Sequence, residues 1–300
     1  MVKKKADPSK NRRRKRFHIA DMIIGLVVLF AALICILPFL NILATSFSNK
    51  SLAAAGEVGL WPKGFTLSAY KYILGQKALW RSMVVALERV GLGTAISLLI
   101  TLLTAYPLSK ESRRFKSRTF YVWFFFVTTL INGGLIPGYI LIQNLRLMDS
   151  IWALVLPSSV PVFNIIVLLN FFRQLPQELE EAAFLDGAGH LRTLFQVFVP
   201  VSLPAIATIT LFTITGHWNS WFDGMIYMQP ENYPLGTYLQ SVIVAGTSTS
   251  SGLSYEEIAA VSDKVVKAAQ IIVATVPIML VYPFLQKYFA KGLMLGSVKG

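Results

Sequence analysis

The sequence is poor in acidic residues, cysteine and charge of any kind. Asp and Glu number 15 against 28 Lys and Arg, and the single cysteine, Cys35, excludes an internal disulfide framework. Only 14% of the 300 residues are charged, whereas 54% are apolar, which excludes an ordinary soluble domain. The excess positive charge lies in short flanks beside apolar runs and therefore indicates membrane topology instead of nucleic-acid binding. We expect a membrane protein surrounded by lipid, with no nucleic-acid partner.

Motifs of nucleotide binding and hydrolysis are also absent. The sequence contains no G-x-x-x-x-G-K-[ST], H-E-x-x-H or G-x-S-x-G pattern, so an enzyme is not expected. Glu88 and Arg89 stand at the start of an apolar run, where we expect their side chains to reach water. Beyond these two, only His217 is ionisable within a predicted span, whereas proton-coupled carriers usually hold buried acids there. The energy for any transport is therefore expected from a partner, with an ATP-independent carrier or channel as the alternative.

Six apolar windows free of Asp, Glu, Lys and Arg are long enough to cross a bilayer, which needs roughly 20 helical residues. They are 22–49, 90–109, 119–145, 150–172, 193–222 and 268–286. Because unpaired backbone groups are costly in lipid, these windows predict an all-α protein with six transmembrane helices. The first is expected to be an uncleaved anchor, since it exceeds a signal-peptide core of about 7–15 residues. A seventh window, 232–255, is rich in Ser, Thr and Gly and is predicted to be a loop.

The distribution of Lys and Arg orients these spans. The flanks on one side hold 19 basic residues and those on the other hold eight, which places both termini in the cytoplasm. Residues 1–21 are then a basic cytoplasmic segment, 22–286 the transmembrane domain and 287–300 a cytoplasmic tail. The loop 173–192, between the fourth and fifth spans, lies in the cytoplasm as well.

This loop contains the stretch "ELEEAAFLDGAGH". Pro176 suits the first turn of a helix, and the carboxylates that follow it suit the positive end of the helix dipole. The glycines of "DGAG" predict that the helix ends near Gly187. Leu179, Ala183 and Gly187 then share one smooth face, which suits close approach by another protein. A solvated loop helix without a docking role is the alternative.

The longer stretch "EAAFLDGAGHLRTLFQVFVPVSLP" resembles the EAA signature of ABC-importer permeases. The segments "INGGLIPGYI", "HWNSWFDGMIYMQPENYPLGTYLQ" and "KGLMLGSVKG" are similar to the maltose-type carbohydrate permeases, nearest to the lipoprotein/polysaccharide permeases of Gram-positive bacteria. The resemblance implies a multi-pass protein of the bacterial cytoplasmic membrane that imports oligosaccharides or polysaccharide-derived sugars. A non-sugar substrate is the alternative, and the sequence does not decide whether the sugar is acidic.

The resemblance also implies partners and site residues. The partners are a second homologous permease, a dimeric ABC ATPase that binds ATP and Mg, and an extracytoplasmic substrate-binding protein; no cofactor is expected in this chain. In the family the short loop helix docks into the ATPase, and the tail extends toward it. The implied coupling residues are Glu181, Ala182, Ala183, Asp186, Gly187, Gly296, Ser297 and Lys299.

Two further clusters are candidates for the substrate path. Gly133, Gly134 and Pro137 interrupt the third span, which is tolerated in lipid where backbone lines a cavity. Close helix packing through Gly134 and Gly138 is the alternative. Trp218, Asn219, Trp221 and Asp223 follow His217 near the outer end of the fifth span. Their rings suit stacking on sugars, and equally an aromatic belt at the membrane interface.

Overall fold

A computed structural model describes residues 19–131, 133–245 and 264–296, and every regular element within these ranges is helical. Fourteen helices are numbered here in chain order. They are α1 Ile19–Ser46, α2 Lys50–Ala54, α3 Ser68–Gly75, α4 Lys77–Ser109, α5 Arg118–Leu130, α6 Leu135–Asn144, α7 Ile151–Ser158, α8 Val162–Arg173, α9 Gln177–Leu185, α10 His190–Val201, α11 Leu203–Asn219, α12 Phe222–Tyr227, α13 Leu235–Ala245 and α14 Lys264–Gly296.

The described helices offer three to six membrane crossings. Three are long and apolar enough alone, namely α4 and the segments Met22–Ser46 and Lys264–Val281. Three bent pairs also qualify together: α5 with α6 at 112°, α7 with α8 at 45°, and α10 with α11 at 87°. If each bent pair is one span, the count is six, and the spans then fall on the six predicted windows.

The core is built around α4, which packs against α8 and α11. Toward one end of α4, Tyr106, Leu168, Leu194 and Ile209 form a buried apolar cluster with their neighbours. Toward the other end, a second cluster joins α3, α4, α13 and α14. The helix α1 packs on α14 but keeps its large apolar side chains exposed, as suits contact with lipid or another membrane subunit.

Two local predictions need correction. Residues 235–245, predicted as loop, form α13, an apolar helix with Leu235 and Val242 buried in the protein. Arg89, expected near water, is only 2% exposed, whereas its neighbour Glu88 is exposed. The rest of the predicted loop, 246–255, lies outside the described residues, as does most of the basic segment 1–21.

The C-terminal segment is helical as far as it is described. The helix α14 continues through 287–296 and ends at Gly296. Ser297 and Lys299, both predicted coupling residues, lie outside the described residues, so the second predicted contact with the ATPase stays a prediction.

Candidate coupling helix and transport cavities

The loop helix α9 forms as predicted, from Gln177 to Leu185 with Pro176 as its N-cap. Gly187 adopts a φ of +78°, and its N–H donates to the Phe184 carbonyl while the Ala188 N–H donates to that of Ala183. This pair of bonds is the Schellman arrangement, which favours glycine at the left-handed position. Gly187 thus ends the helix where expected, whereas Gly189 is the N-cap of the next helix.

The predicted docking face of α9 is turned partly inward. Ala183 is 8% exposed and lies against the protein, so its side chain is not available to a partner in this conformation. The exposed surface consists instead of Glu181, Ala182, Asp186 and above all Leu185, which is 89% exposed. These side chains are available to a partner in this conformation.

Glu180 anchors the inner side of α9. It is 6% exposed, and its Oε1 lies 2.8 Å from Lys110 Nζ while its Oε2 lies 3.2 Å from Arg114 Nη1. The Tyr106 hydroxyl donates to Oε1 at 3.3 Å. Lys110 Nζ also sits 3.8 Å from the centroid of the Tyr106 ring. We call these four residues, Tyr106, Lys110, Arg114 and Glu180, the Glu180 cluster.

The Glu180 cluster joins α9 to the loop between α4 and α5. Arg114 adds a weaker contact of 3.5 Å to Glu181, and Gln177 Nε2 donates to Glu111 Oε1 at 3.1 Å. Burial lowers the pKa of Lys110, and the hydrogen bond and charge of Glu180 partly offset that effect. The Glu180 cluster therefore ties α9 to the end of α4, and the chain continues from α9 into α10.

The stretch after α9 is irregular. Residues Leu194–Phe198 form a π-helical turn, and the chain then bends by 87° between α10 and α11. Such turns break the regular ladder of hydrogen bonds and often mark functional sites. This segment lies within the predicted EAA signature, so the signature covers both a short helix and an irregular, bent segment.

We expect Gly187→Ala to destabilise the end of α9 by about 1 kcal/mol, because the positive φ disfavours a side chain. Nothing lies within 4 Å of the added methyl group, so the effect is confined to the backbone. ATP hydrolysis should persist while transport per ATP falls, measured in a reconstituted assembly.

Gly189→Ala is the matched control, since Gly189 has an ordinary φ of −78° and equally open space. Equal transport per ATP in the two variants would argue against the role of the Gly187 turn.

The predicted substrate-path residues separate into three places. Asp223 lines a polar cavity of about 360 Å³ between α4, α8 and α11, which we call the Arg89 cavity. Trp218, Asn219 and Trp221 line a different cavity of about 320 Å³ between α11, α13 and α14, the aromatic cavity. Gly133, Gly134 and Pro137 line neither; they lie at the break between α5 and α6.

The Arg89 cavity contains an ion pair that sequence reasoning missed. Arg89 faces Asp223 with both terminal nitrogens: Nη1 donates to Oδ1 at 3.1 Å, and Nη2 contacts Oδ2. The Ser220 hydroxyl and the Gly224 N–H also donate to Oδ1, both at 2.9 Å. Asn164 and His217 line the cavity too and are 5% and 6% exposed. Three donors thus meet Oδ1 and one meets Oδ2, and the Asp223 side chain stays 28% exposed.

The aromatic cavity and the break between α5 and α6 contain no ion pair among the described residues. Trp218 Nε1 donates to the Ala274 carbonyl at 3.3 Å, so this ring is tied to α14, whereas Trp221 is 38% exposed. Gly134 is the N-cap of α6, with a φ of +85°, so it cannot form a helical G-x-x-x-G pair with Gly138. The apolar run 119–145 is therefore broken between α5 and α6. A place for these residues in the substrate path stays a prediction.

Within the described ranges, no three His, Cys, Asp or Glu side chains are grouped closely enough to hold a metal ion. Apolar helices that could cross a membrane, a short exposed helix at one end of the core and polar cavities between the long helices together define a transport permease. Residues 83–294 match the family described as "Binding-protein-dependent transport system inner membrane component", and the chain belongs to this family.

Individual relatives cover almost the whole chain. It is 38% identical to the "Polygalacturonan/rhamnogalacturonan transport system permease protein YtcP" of Bacillus subtilis, over 94% of this chain and 99% of that protein. It is 41% identical to "Protein LplC" of the same organism, over 89% and 90%. A crystal structure of "a bacterial ABC transporter involved in the import of the acidic polysaccharide alginate" matches with a TM-score of 0.81 and 31% identity, covering 91% of this chain and 99% of that chain. The predicted ABC permease family is thereby confirmed.

Proposed function

We propose that this chain is one of two pore-forming permeases of an ABC importer for oligosaccharides derived from acidic polysaccharides. Two relatives support this substrate class, one named for polygalacturonan and rhamnogalacturonan and the other for alginate. The partners are a second homologous permease, a dimeric ATPase that binds ATP and Mg, and an extracytoplasmic substrate-binding protein, in keeping with the family description.

The proposed topology has six spans, with each bent pair counted as one. Both termini and α9 lie in the cytoplasm, in line with the 19 basic residues on that side. Arg81 then lies outside, where its guanidinium donates to Asn232 at 2.6 Å and to the Glu231 carbonyl at 3.0 Å. The helix α4, about 50 Å long at 1.5 Å per residue, connects the two sides.

The exposed face of α9 is the observation that carries the coupling role. Leu185 at 89% exposure provides an apolar contact, and Glu181 and Asp186 beside it provide charge complementarity for the ATPase. The inner side of α9 is held by the Glu180 cluster, so a displacement of the helix moves α4 and α10 together. ATP-driven closure of the motor would thus switch the spans between outward-open and inward-open states. Gly296, Ser297 and Lys299 are proposed as a second contact with the motor.

The test is gentle extraction of the tagged chain from its native membrane, followed by reconstitution of the purified assembly. We expect an ATPase and a second permease in the eluate, and ATP-dependent uptake of oligogalacturonate by the proteoliposomes once the substrate-binding protein is added. Leu185→Asp with Glu181→Lys should lose the ATPase but keep the second permease, whereas Arg192→Gln, an exposed change beyond α9, should keep both. A chain that purifies alone and moves solute without ATP would support a carrier or channel instead.

A further inference from the structure

Two adjacent cavities beside α9 share two arginines. The first, here the basic pocket, has a volume of about 320 Å³ and is lined by Lys110, Arg114, Arg118 and Arg173 together with Glu111 and Glu180. The second, here the apolar groove, has a volume of about 330 Å³ and lies between α5 and α8. Arg118 and Arg173 line both, so they mark the boundary between a charged and an apolar space.

Only two of the four cations in the basic pocket form an ion pair with a carboxylate of the described residues. Lys110 and Arg114 pair with Glu180, as described above. No carboxylate of the described residues forms an ion pair with Arg118 or Arg173. Both instead donate to one carbonyl, that of Leu108, at 2.9 Å from Arg118 Nε and 3.4 Å from Arg173 Nη2. Each guanidinium has five N–H donors, so both retain donors for a further acceptor.

The apolar groove lies on a surface suited to lipid. Its walls include Val122, Phe125, Ile165, Ile166 and Leu169. The same helix α5 exposes large apolar side chains, among them Trp123 at 59% and Phe124 at 54%. Such a face is solvated by acyl chains in a membrane protein, and the two arginines stand where this face meets the charged loop.

We propose that the basic pocket and the apolar groove together bind one anionic phospholipid. Its phosphate is held by Arg118 and Arg173, and an acyl chain lies in the groove between α5 and α8. Planar guanidinium groups bind phosphate by paired hydrogen bonds, and basic pockets between membrane helices select anionic headgroups. A free phosphate ion would leave the groove unused, and an apolar helix of the second permease would leave the arginines without a counter-charge. Because the pocket also contains Glu180, bound lipid adjoins the anchor of α9.

Native mass spectrometry of the whole purified transporter tests this proposal, with phosphatidylglycerol and phosphatidylcholine as probes. We expect selective retention of phosphatidylglycerol by the wild type. Arg118→Gln with Arg173→Gln should lower its affinity roughly 25-fold, since each cation near an anionic headgroup is worth a factor of about 5. Ile166→Trp should fill the groove and lower retention while both arginines remain.

Arg113→Gln with Lys116→Gln is the matched control, because it removes two charges from the same loop at residues that line neither cavity. This variant should retain the lipid like the wild type. Equal retention of phosphatidylcholine, or full displacement by inorganic phosphate, would overturn the proposal. So would Ile166→Trp if it released the second permease and left lipid retention unchanged, since the groove would then be a subunit interface.

Discussion

Glu180→Ala is expected to lower the free energy of unfolding by about 3–5 kcal/mol, the usual effect of removing one partner of a buried ion pair. The Lys110 side chain is only 11% exposed and would lose the carboxylate that lies 2.8 Å away. The anchor between α9 and α4 would be lost with it. We therefore expect a lower melting temperature of the purified assembly and fewer substrate molecules transported per ATP hydrolysed.

Glu178→Ala is the control for this variant, because Glu178 lies on the same helix but is exposed. Its effect on unfolding should stay within about 0.5 kcal/mol, as for most surface substitutions. Glu180→Gln keeps an acceptor for the Tyr106 hydroxyl and should fall between the two. Melting of Glu180→Ala at the wild-type temperature, with normal coupling, would refute the anchoring role.

The pH dependence of Glu180→Ala provides an independent check. Burial already lowers the pKa of Lys110, and the variant loses the offsetting effect of Glu180, so this pKa should fall further. Between the lowered pKa and the ordinary lysine value, the unfolded state binds more protons than the folded state. Stability of the variant relative to the wild type should therefore rise as the pH increases toward the ordinary lysine value.

The bounds of α9 could be predicted because the signals are local: a proline before the helix and a glycine with positive φ after it. The role of Glu180 could not, because spacing along α9 does not tell which carboxylate meets cations about 70 residues earlier in the chain. One signal was present in the sequence. The loop 110–118, counted only for topology, holds five basic residues and had to lie on the same side as α9.

Arg89 illustrates the limit of a local rule. Adjacent residues on a helix do not face one another, and Glu88 and Arg89 indeed point to different surroundings. The conclusion that both reach water was wrong for Arg89, whose partner Asp223 is 134 residues away. A cation within a predicted span demands a counter-charge, and Asp223 was the acidic residue nearest the matching end of the fifth span.

The helix α13 was missed because the window 232–255 combines this short apolar segment with the Ser-, Thr- and Gly-rich stretch that follows it. The helix is covered by α4, α12 and α14, so its polar side chains need not meet acyl chains. Thr237, for example, is fully buried and donates its hydroxyl to the Trp221 carbonyl at 2.7 Å. Hydrogen bonds of this kind arise from tertiary contacts, which an average of hydropathy along the sequence does not include.

Asp223→Ala is expected to destabilise the assembly by about 3–5 kcal/mol, because it leaves the Arg89 guanidinium buried without its counter-ion. Arg89 is 2% exposed, and Asp223 is the carboxylate paired with its guanidinium. The variant should show a lower melting temperature and reduced recovery from the membrane. Ser220→Ala removes one hydrogen bond from a neutral hydroxyl to the same carboxylate and should cost less, about 1.5–3 kcal/mol.

A double-mutant cycle separates the interaction energy of the Arg89–Asp223 pair from the destabilisation caused by leaving Arg89 buried without a counter-ion. Replacing both charges, as in Arg89→Met with Asp223→Ala, removes the unpaired cation, and such replacements are often neutral or stabilising. We therefore expect the double variant to melt well above Asp223→Ala, with a coupling energy of about 2–3 kcal/mol. If the losses of the two single variants simply add, Arg89 finds other acceptors, such as the Ser220 carbonyl at 3.4 Å. The ion pair would then not be what holds this part of α4 to α12. If the double variant recovers stability but not uptake of oligogalacturonate, the pair serves transport as well as folding, since its charges line a cavity between the central helices.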